Sequence, residues 1–175
     1  MEWGWKALSM LQGKGITEVI DIGSLNVNGT FRHMVQELIA PTKYLGIDIE
    51  MGPDVDVVGN MYDVVEEHPG PWSLVLSTEA LEHIEFWQKA ISNMKEITKP
   101  GGYILITTRA PGFGKHNYPS DYWRYDHAFM MSAFSDMEIL MCEEDRNSQG
   151  IIVLARKPED WTPCDLSALK PEPVV

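Results

Sequence analysis

Apolar and polar positions follow two different periods along this chain. From residue 17 to about 110, short apolar runs take turns with stretches of helical period. Residues 2–12 carry Leu8 and Leu11 on one side and end at Gly13 and Gly15, which predicts a first helix. Residues 18–22, Glu-Val-Ile-Asp-Ile, read as a short buried strand. Phe31, Met34, Val35, Leu38 and Ile39 stand at offsets i, i+3, i+4, i+7 and i+8, an amphipathic stripe that Pro41 stops. Further strands are predicted at 44–49, 55–58 and 73–77. A helix follows with Ile84, Trp87, Ile91 and Met94 on one stripe, and Lys99-Pro100-Gly101-Gly102 breaks it. The run at 103–107 is apolar nearly throughout, as a central parallel strand is.

Beyond residue 108 the pattern changes. Residues 109–126 form a long loop rich in aromatics, Gly and Pro, and Asp126 is a good N-cap for a short helix. Strands at 137–142 and 151–155 flank a polar stretch suited to a hairpin. From Pro158 the chain holds four prolines and little periodicity, which reads as an extended or partly ordered tail. The alternation predicts an α/β fold: a seven-stranded, mostly parallel sheet with helices on both faces and an antiparallel last strand. The expected division is one domain over 1–157 and a Pro-rich tail over 158–175. In such sheets ligands sit beyond the carboxyl ends of the strands. The loops at 23–30, 48–53, 59–62, 77–83 and 108–126 should therefore share one rim.

Composition narrows the function. A chain of 175 residues fits a single domain able to bury a real core. The net charge is −12 with no Lys/Arg cluster, which disfavours a nucleic-acid acceptor. No apolar run approaches the roughly 18 to 20 residues that span a bilayer, and the first residues do not form a signal peptide. Cys142 and Cys164 belong to no CxxC or Cys/His pattern and read as reduced thiols, so the expected compartment is the cytoplasm. No metal is expected.

Four loops carry candidate chemistry. Gly23 and Gly29 lie in the first strand-to-helix loop, where a glycine allows a sharp turn and close approach of a ligand. The loop lacks a full GxGxxG and equally suits an ordinary tight turn. Asp48 ends the second strand, 19 residues past Gly29, the position from which a carboxylate accepts hydrogen bonds from both hydroxyls of a ribose. Asn60 and Met61 follow the third strand; they suit an adenine edge and face, or a polar loop with one core methionine. Ser77 and Thr78 open a segment that continues Glu79-Ala80-Leu81-Glu82-His83-Ile84. There Glu82 and His83 are adjacent and point in different directions.

The segments Val19-Ile20-Asp21-Ile22-Gly23-Ser24, Leu45-Gly46-Ile47-Asp48, Glu79-Ala80-Leu81-Glu82-His83-Ile84 and Lys99-Pro100-Gly101-Gly102 occur in this order. Together they resemble the successive motifs of class I S-adenosylmethionine-dependent methyltransferases, particularly the small-molecule branch, over roughly residues 17–156. The glycine loop departs from that family's usual DxGxGxG, with Leu25 and Val27 where glycines often sit. The resemblance implies a Rossmann-like fold and S-adenosylmethionine as cofactor. It also implies that Asp21, Gly23 and Ser24 line the methionine part and that Asp48 holds the ribose with Ile49 beside the adenine. Asn60 and Met61 would flank the adenine, and Ser77 and Thr78 would lie by the sulfonium.

The aromatic loop is read as an acceptor lid, with Tyr118, Tyr122, Trp123 and Arg124 as substrate-binding candidates; the competing reading is a secondary core. Methyl transfer is an in-line displacement in which alignment dominates. An acceptor hydroxyl or amine can also need a base, for which His83, His116 and Tyr122 are candidates. The expected partner is a small-molecule substrate. A small NAD-dependent oxidoreductase is disfavoured because no tyrosine is followed by lysine at the fourth position. A module that keeps the fold without turnover stays open as the alternative.

Overall fold

The structure, a computed structural model, describes residues 2–27, 29–116, 120–145 and 147–175. In chain order the elements are α1 (Glu2–Ser9), β1 (Glu18–Ile22), α2 (Arg32–Leu38), β2 (Lys43–Asp48), β3 (Val57–Val58), α3 (Val64–Glu67) and β4 (Trp72–Thr78). Then come α4 (Trp87–Ile97), β5 (Thr98–Arg109), β6 (Trp123–Arg124), α5 (His127–Ala133), β7 (Glu138–Asp145), β8 (Gly150–Arg156) and β9 (Glu172–Pro173). Among the described residues the main sheet has seven strands in the order β3-β2-β1-β4-β5-β8-β7. β1 pairs parallel with β2 and β4, and β4 with β5. β8 is antiparallel to both of its neighbours, so the seventh strand of this sheet in sequence is wedged between the fifth and the sixth. This is the predicted α/β arrangement with its antiparallel last strand.

Side-chain alternation along the buried strands explains the layers. Ile20, Ile22, Val75, Ile104, Ile106 and Val153 face one way and pack under α4 and α5. Val19, Leu74, Leu76, Leu105, Ile152 and Leu154 face the other and pack under α1 and α2. Both faces are covered, so these strands read as apolar runs rather than as an apolar/polar alternation. No helix among the described residues is long and apolar enough to cross a membrane.

Two predicted elements differ. Ile84 is not on α4: Leu81–His83 form one 3-10 turn, Ile84 is extended, and the helix starts at Trp87. The apolar stripe was read one turn too far because Ile84 packs on the same core through a different backbone. The Lys99–Gly102 break is a bend inside the β5 ladder, with Thr98 already paired to Trp72 and Gly101 at φ +71°. Asp126 caps α5 as expected, its side chain accepting from the Phe129 N–H.

The prolines keep the tail extended, but it packs against the domain. β9 pairs with β6, and the Val174 N–H donates to the Tyr122 carbonyl at 2.8 Å. Leu166 is buried in the α4 core. The anchor is Asp136, which accepts from Lys95 Nζ at 2.6 Å, from Trp161 Nε1 at 2.9 Å and from the Cys164 N–H at 3.2 Å. Burial pushes the Asp136 carboxyl up, but the Lys95 ammonium outweighs it and holds the group below its ordinary range.

Both members of this ion pair are nearly inaccessible, at 2% and 3% side-chain exposure. Removing one strands the other charge, which costs about 3–5 kcal/mol. Asp136→Ala is expected to lower the urea-unfolding free energy by that amount. A loss below about 1 kcal/mol would mean that the tail and Lys95 are held by other contacts.

Candidate active site

The carboxyl ends of β1, β2, β4 and β5 open into one cleft of about 960 Å³. A smaller hollow of about 260 Å³ lies at the opposite edge, beside Lys43, His68 and Trp72, away from these loops. The cleft is built first by the turn after β1. Gly23 sits at φ +85°, and the N–H groups of Gly23 and Ser24 both donate to the Ile47 carbonyl, at 2.8 and 3.0 Å. A Cβ on Gly23 would stand 2.4 Å from the Ala80 Cβ, so the glycine is required by packing against the β4 loop as well as by its φ. The turn continues with Leu25 N–H donating to Asp48 Oδ2 at 3.0 Å and Asn26 Nδ2 to Asp54 Oδ2 at 3.0 Å.

Of the ten residues expected around a nucleoside cofactor, nine line this cleft: Asp21, Gly23, Ser24, Gly29, Asp48, Ile49, Asn60, Met61 and Thr78. Ser77 does not; it is fully buried in β4. Asp48 Oδ1 also accepts from the Glu50 N–H at 3.2 Å, and each carboxylate oxygen keeps a second lone pair. Asn60 is largely occupied locally: its Oδ1 accepts from the Tyr62 and Asp63 N–H groups, and its Nδ2 donates to Asp63 Oδ2 at 2.6 Å. One amide hydrogen is left over. Met61 is buried, so it belongs to the core and to the cleft wall at once.

Asp21 is 2% exposed. Its Oδ2 accepts from the Tyr44 hydroxyl at 2.7 Å, and its Oδ1 has no hydrogen-bond partner among the described residues. Burial pushes the carboxyl up to about 6, with the Tyr44 hydroxyl and Arg32 pulling the other way and Asp54 and Asp48 adding to the rise.

At the other end of the cleft, Glu82, His83 and His116 converge, their ligand atoms all within 4.8 Å of one another. His83 Nε2 and His116 Nε2 are 3.2 Å apart. Glu82 is fully buried: its Oε2 accepts from the Thr108 hydroxyl at 2.7 Å, and its Oε1 has no hydrogen-bond partner among the described residues. Burial pushes this carboxyl up to about 7, and nearby Glu79 adds to the rise; the Thr108 hydrogen bond and Arg109 partly offset it. Burial likewise lowers the His83 imidazole. His83 Nδ1 contacts the Ser120 carbonyl, and His116 Nδ1 lies 2.9 Å from Asp121 Oδ2 in a bent contact. Asp121 is in turn gripped by both terminal nitrogens of Arg124, at 2.6 and 2.7 Å. Burial opposes ionisation there, but the guanidinium and the His116 N–H hold Asp121 well below the carboxylate range.

Among the described residues, the aromatic segment is not laid over the cleft as a lid. Tyr122, Trp123 and Arg124 do not line it. The Tyr122 N–H donates to the Glu82 carbonyl, and Trp123 Nε1 to the Glu85 carbonyl at 3.1 Å. Arg124 is 3% exposed and also donates to the carbonyls of Phe113 and Gly114. Tyr125 is wholly buried, its hydroxyl donating to the Leu81 carbonyl. From this segment His116 alone among the candidates reaches the cleft wall; Tyr118 lies outside the described residues. Sequence reasoning missed Thr108, Arg109 and Asp121. The one available signal was the Asp121–Arg124 spacing of three next to two histidine-bearing segments.

The sequence matches, over residues 10–139, the model of a family described as a methyltransferase domain. No curated protein matches it. The fold resembles that of the N-methyltransferase NodS from Bradyrhizobium japonicum WM9, which is 13% identical, with a TM-score of 0.67 over 90% of this chain and 96% of that one. It also resembles the 1,6-didemethyltoxoflavin-N1-methyltransferase of Burkholderia thailandensis, solved with 1,6-didemethyltoxoflavin and S-adenosylhomocysteine. That chain is 13% identical with a TM-score of 0.66, over 89% of this chain and 78% of that one. A third likeness is to a chain in the complex of the Haloferax volcanii Trm112 methyltransferase activator with a methyltransferase: 15% identity and a TM-score of 0.65, over 89% and 90%.

Asp21 supplies a test of the cleft's electrostatics. Its folded-state pKa of about 6 lies above the ordinary carboxylate value, so its contribution to stability is fully present below about pH 4 and is lost as pH rises through 6. Above that the buried carboxylate costs about 3 kcal/mol. Asp21→Asn keeps an acceptor for Tyr44 and removes the charge. It is expected to stabilise the unliganded protein by about 2–3 kcal/mol at pH 8 and to change it little at pH 4, read by urea unfolding. Equal effects at both pH values would show that Asp21 does not titrate in this window.

Proposed function

The chain belongs to the methyltransferase-domain family, and from that premise we propose that it transfers a methyl group from S-adenosylmethionine to a small-molecule hydroxyl or amine. The observation that carries this reading is the pair of carboxylates at the ends of adjacent strands. Asp48 has free lone pairs for the ribose hydroxyls, and Asp21 Oδ1 is buried without a partner. A buried carboxylate with an orphan oxygen suits a cationic ligand group, and the α-ammonium of the cofactor is one. The cofactor supplies an electrophilic methyl on a sulfonium.

The chain's residues do the rest by position. Gly23 and Ser24 bring the β1 turn against the methionine part, while Ile49 and Met61 offer apolar surface to the adenine, with the spare Asn60 amide hydrogen at its edge. Thr78 lies toward the sulfonium. The wall of Glu82, His83 and His116 faces the acceptor, whose O–H or N–H finds hydrogen-bond acceptors there. Holding two reactants in line is worth roughly 7–11 kcal/mol of barrier, so the cleft needs little covalent chemistry of its own. A volume of about 960 Å³ stands at the top of the roughly 300–1,000 Å³ range of small-molecule sites, which leaves room for an acceptor beside the cofactor. The net charge of −12 favours a small acceptor over a nucleic acid.

Calorimetric titration with S-adenosylhomocysteine tests the cofactor half, with NAD as the control. Binding of the first alone is expected. Asp48→Ala should weaken it roughly ten- to hundredfold, the range for losing hydrogen bonds to a charged group; affinity near wild type would remove the ribose assignment. Affinity should also fall as pH drops below about 6, because protonated Asp21 no longer pairs with the ammonium, and Asp21→Asn should flatten that dependence. Binding without product from any acceptor would instead favour a non-catalytic cofactor-binding module.

A further inference from the structure

Two ring nitrogens and one buried carboxylate oxygen meet in the cleft, all within 4.8 Å of one another. The Ser120 carbonyl accepts from His83 Nδ1, which assigns the ring proton to Nδ1 and leaves Nε2 as a bare lone pair. Asp121, gripped by Arg124, accepts from the His116 backbone N–H at 2.9 Å and lies 2.9 Å from His116 Nδ1 in a bent contact. His116 Nε2 faces the bare His83 Nε2 at 3.2 Å. Glu82 Oε1, on a side chain 1% exposed and without a hydrogen-bond partner among the described residues, points at His83 Nε2 from 3.9 Å. A cation at this point is a partner that all three groups can share.

We propose that Glu82, His83 and His116 are the ligands of a divalent transition-metal ion of the zinc or manganese class. Ligand bonds of 2.0–2.2 Å set ligand-to-ligand separations of about 2.9–3.4 Å. The two imidazoles already meet that spacing, and Glu82 Oε1, 3.9 Å from His83 Nε2, has about 0.5–1 Å to close on that nitrogen. Two imidazoles and one carboxylate suit such ions and leave coordination positions open. The outer contacts are those a ligand set requires: each imidazole presents its other nitrogen to a carbonyl or carboxylate, and the second oxygen of Glu82 is held by Thr108 at 2.7 Å. Arg109 is the nearest competing cation. Its Nε is 3.8 Å from Glu82 Oε1 but 2.7 Å from Glu79 Oε2, and its guanidinium lies over the Phe113 ring at 4.1 Å, so Glu79 is its closer carboxylate. The open positions face the cleft. They fit a hydroxyl-bearing acceptor, whose proton is lost more easily beside a divalent cation. Metal binding itself stands on this geometry alone; its use on an acceptor rests on the methyl-transfer reading.

The test is calorimetric titration of the chelator-stripped full chain with manganese and zinc chlorides, with electron paramagnetic resonance of the manganese sample. One equivalent is expected to bind. His83→Asn and His116→Asn should each weaken it by at least about tenfold, since loss of an outer-shell partner alone costs roughly 10–100-fold. S-adenosylhomocysteine titration of the same variants reports whether the cleft is still folded. Metal binding that survives both substitutions overturns the proposal, as does a stripped protein that takes up S-adenosylhomocysteine but no metal. Metal binding lost in the variants, with no S-adenosylhomocysteine binding by any form, upholds the metal site and overturns the cofactor reading instead.

Discussion

Asp21 sits opposite Gly46 on one side and Leu76 on the other because β1 pairs parallel with both neighbours. That register sends three loops out of the same edge of the sheet. The first closes on the second through the Ile47 carbonyl and the Asp48 carboxylate, and on the third through the contact of Gly23 with Ala80. A parallel sheet covered on both faces leaves that edge as the one place where strand-end side chains can meet a ligand without disturbing the core. Asp21 and Asp48 are there for this reason, and the burial of Asp21 follows from the same packing.

Much of this could be read directly from residue patterns. β1, α2 and the capped α5 were legible because each depends on local information: an apolar run, a helical stripe, a capping aspartate. The strand-end carboxylate Asp48 and the glycine at 23 were legible because spacing along the chain fixes them once a parallel sheet is assumed. The sheet order was less accessible. Nothing local in Gly150–Arg156 says that it inserts between β5 and β7, although its nearly continuous burial suits a strand with neighbours on both sides.

The segment after β5 was harder, and the reason is physical. Tyr122, Trp123, Arg124 and Tyr125 look like a binding loop because aromatic and cationic side chains next to a cleft usually contact ligands. Here Tyr122, Trp123 and Tyr125 answer to Glu82, Glu85 and Leu81, more than thirty residues away in sequence, β6 pairs with the still more distant β9, and the Arg124 side chain turns back on Asp121, Phe113 and Gly114. The proline-rich tail has too little periodicity to announce that it supplies those pairings. Non-local backbone pairing leaves no trace in composition, so the competing reading of a secondary core could not be separated from a lid beforehand.

The electrostatics of the cleft depend on where the positive charges have gone. Arg124 is taken by Asp121 and Arg109 by Glu79, and both guanidiniums lie against the Phe113 ring, at 5.5 and 4.1 Å. Arg124 is thus drawn away from the point where Glu82, His83 and His116 converge, and Arg109 stands closer to Glu79 than to Glu82, at 2.7 against 3.8 Å. Asp121 acts twice, drawing Arg124 aside and fixing the His116 ring. The wall is therefore rich in acceptors facing an open volume, while Asp21 stands as a second unpaired acceptor across the cleft. A cavity with that distribution favours positive charge at both ends, beside Asp21 and beside Glu82. The apolar surface of Ile49 and Met61 adds a wall for a flat ring.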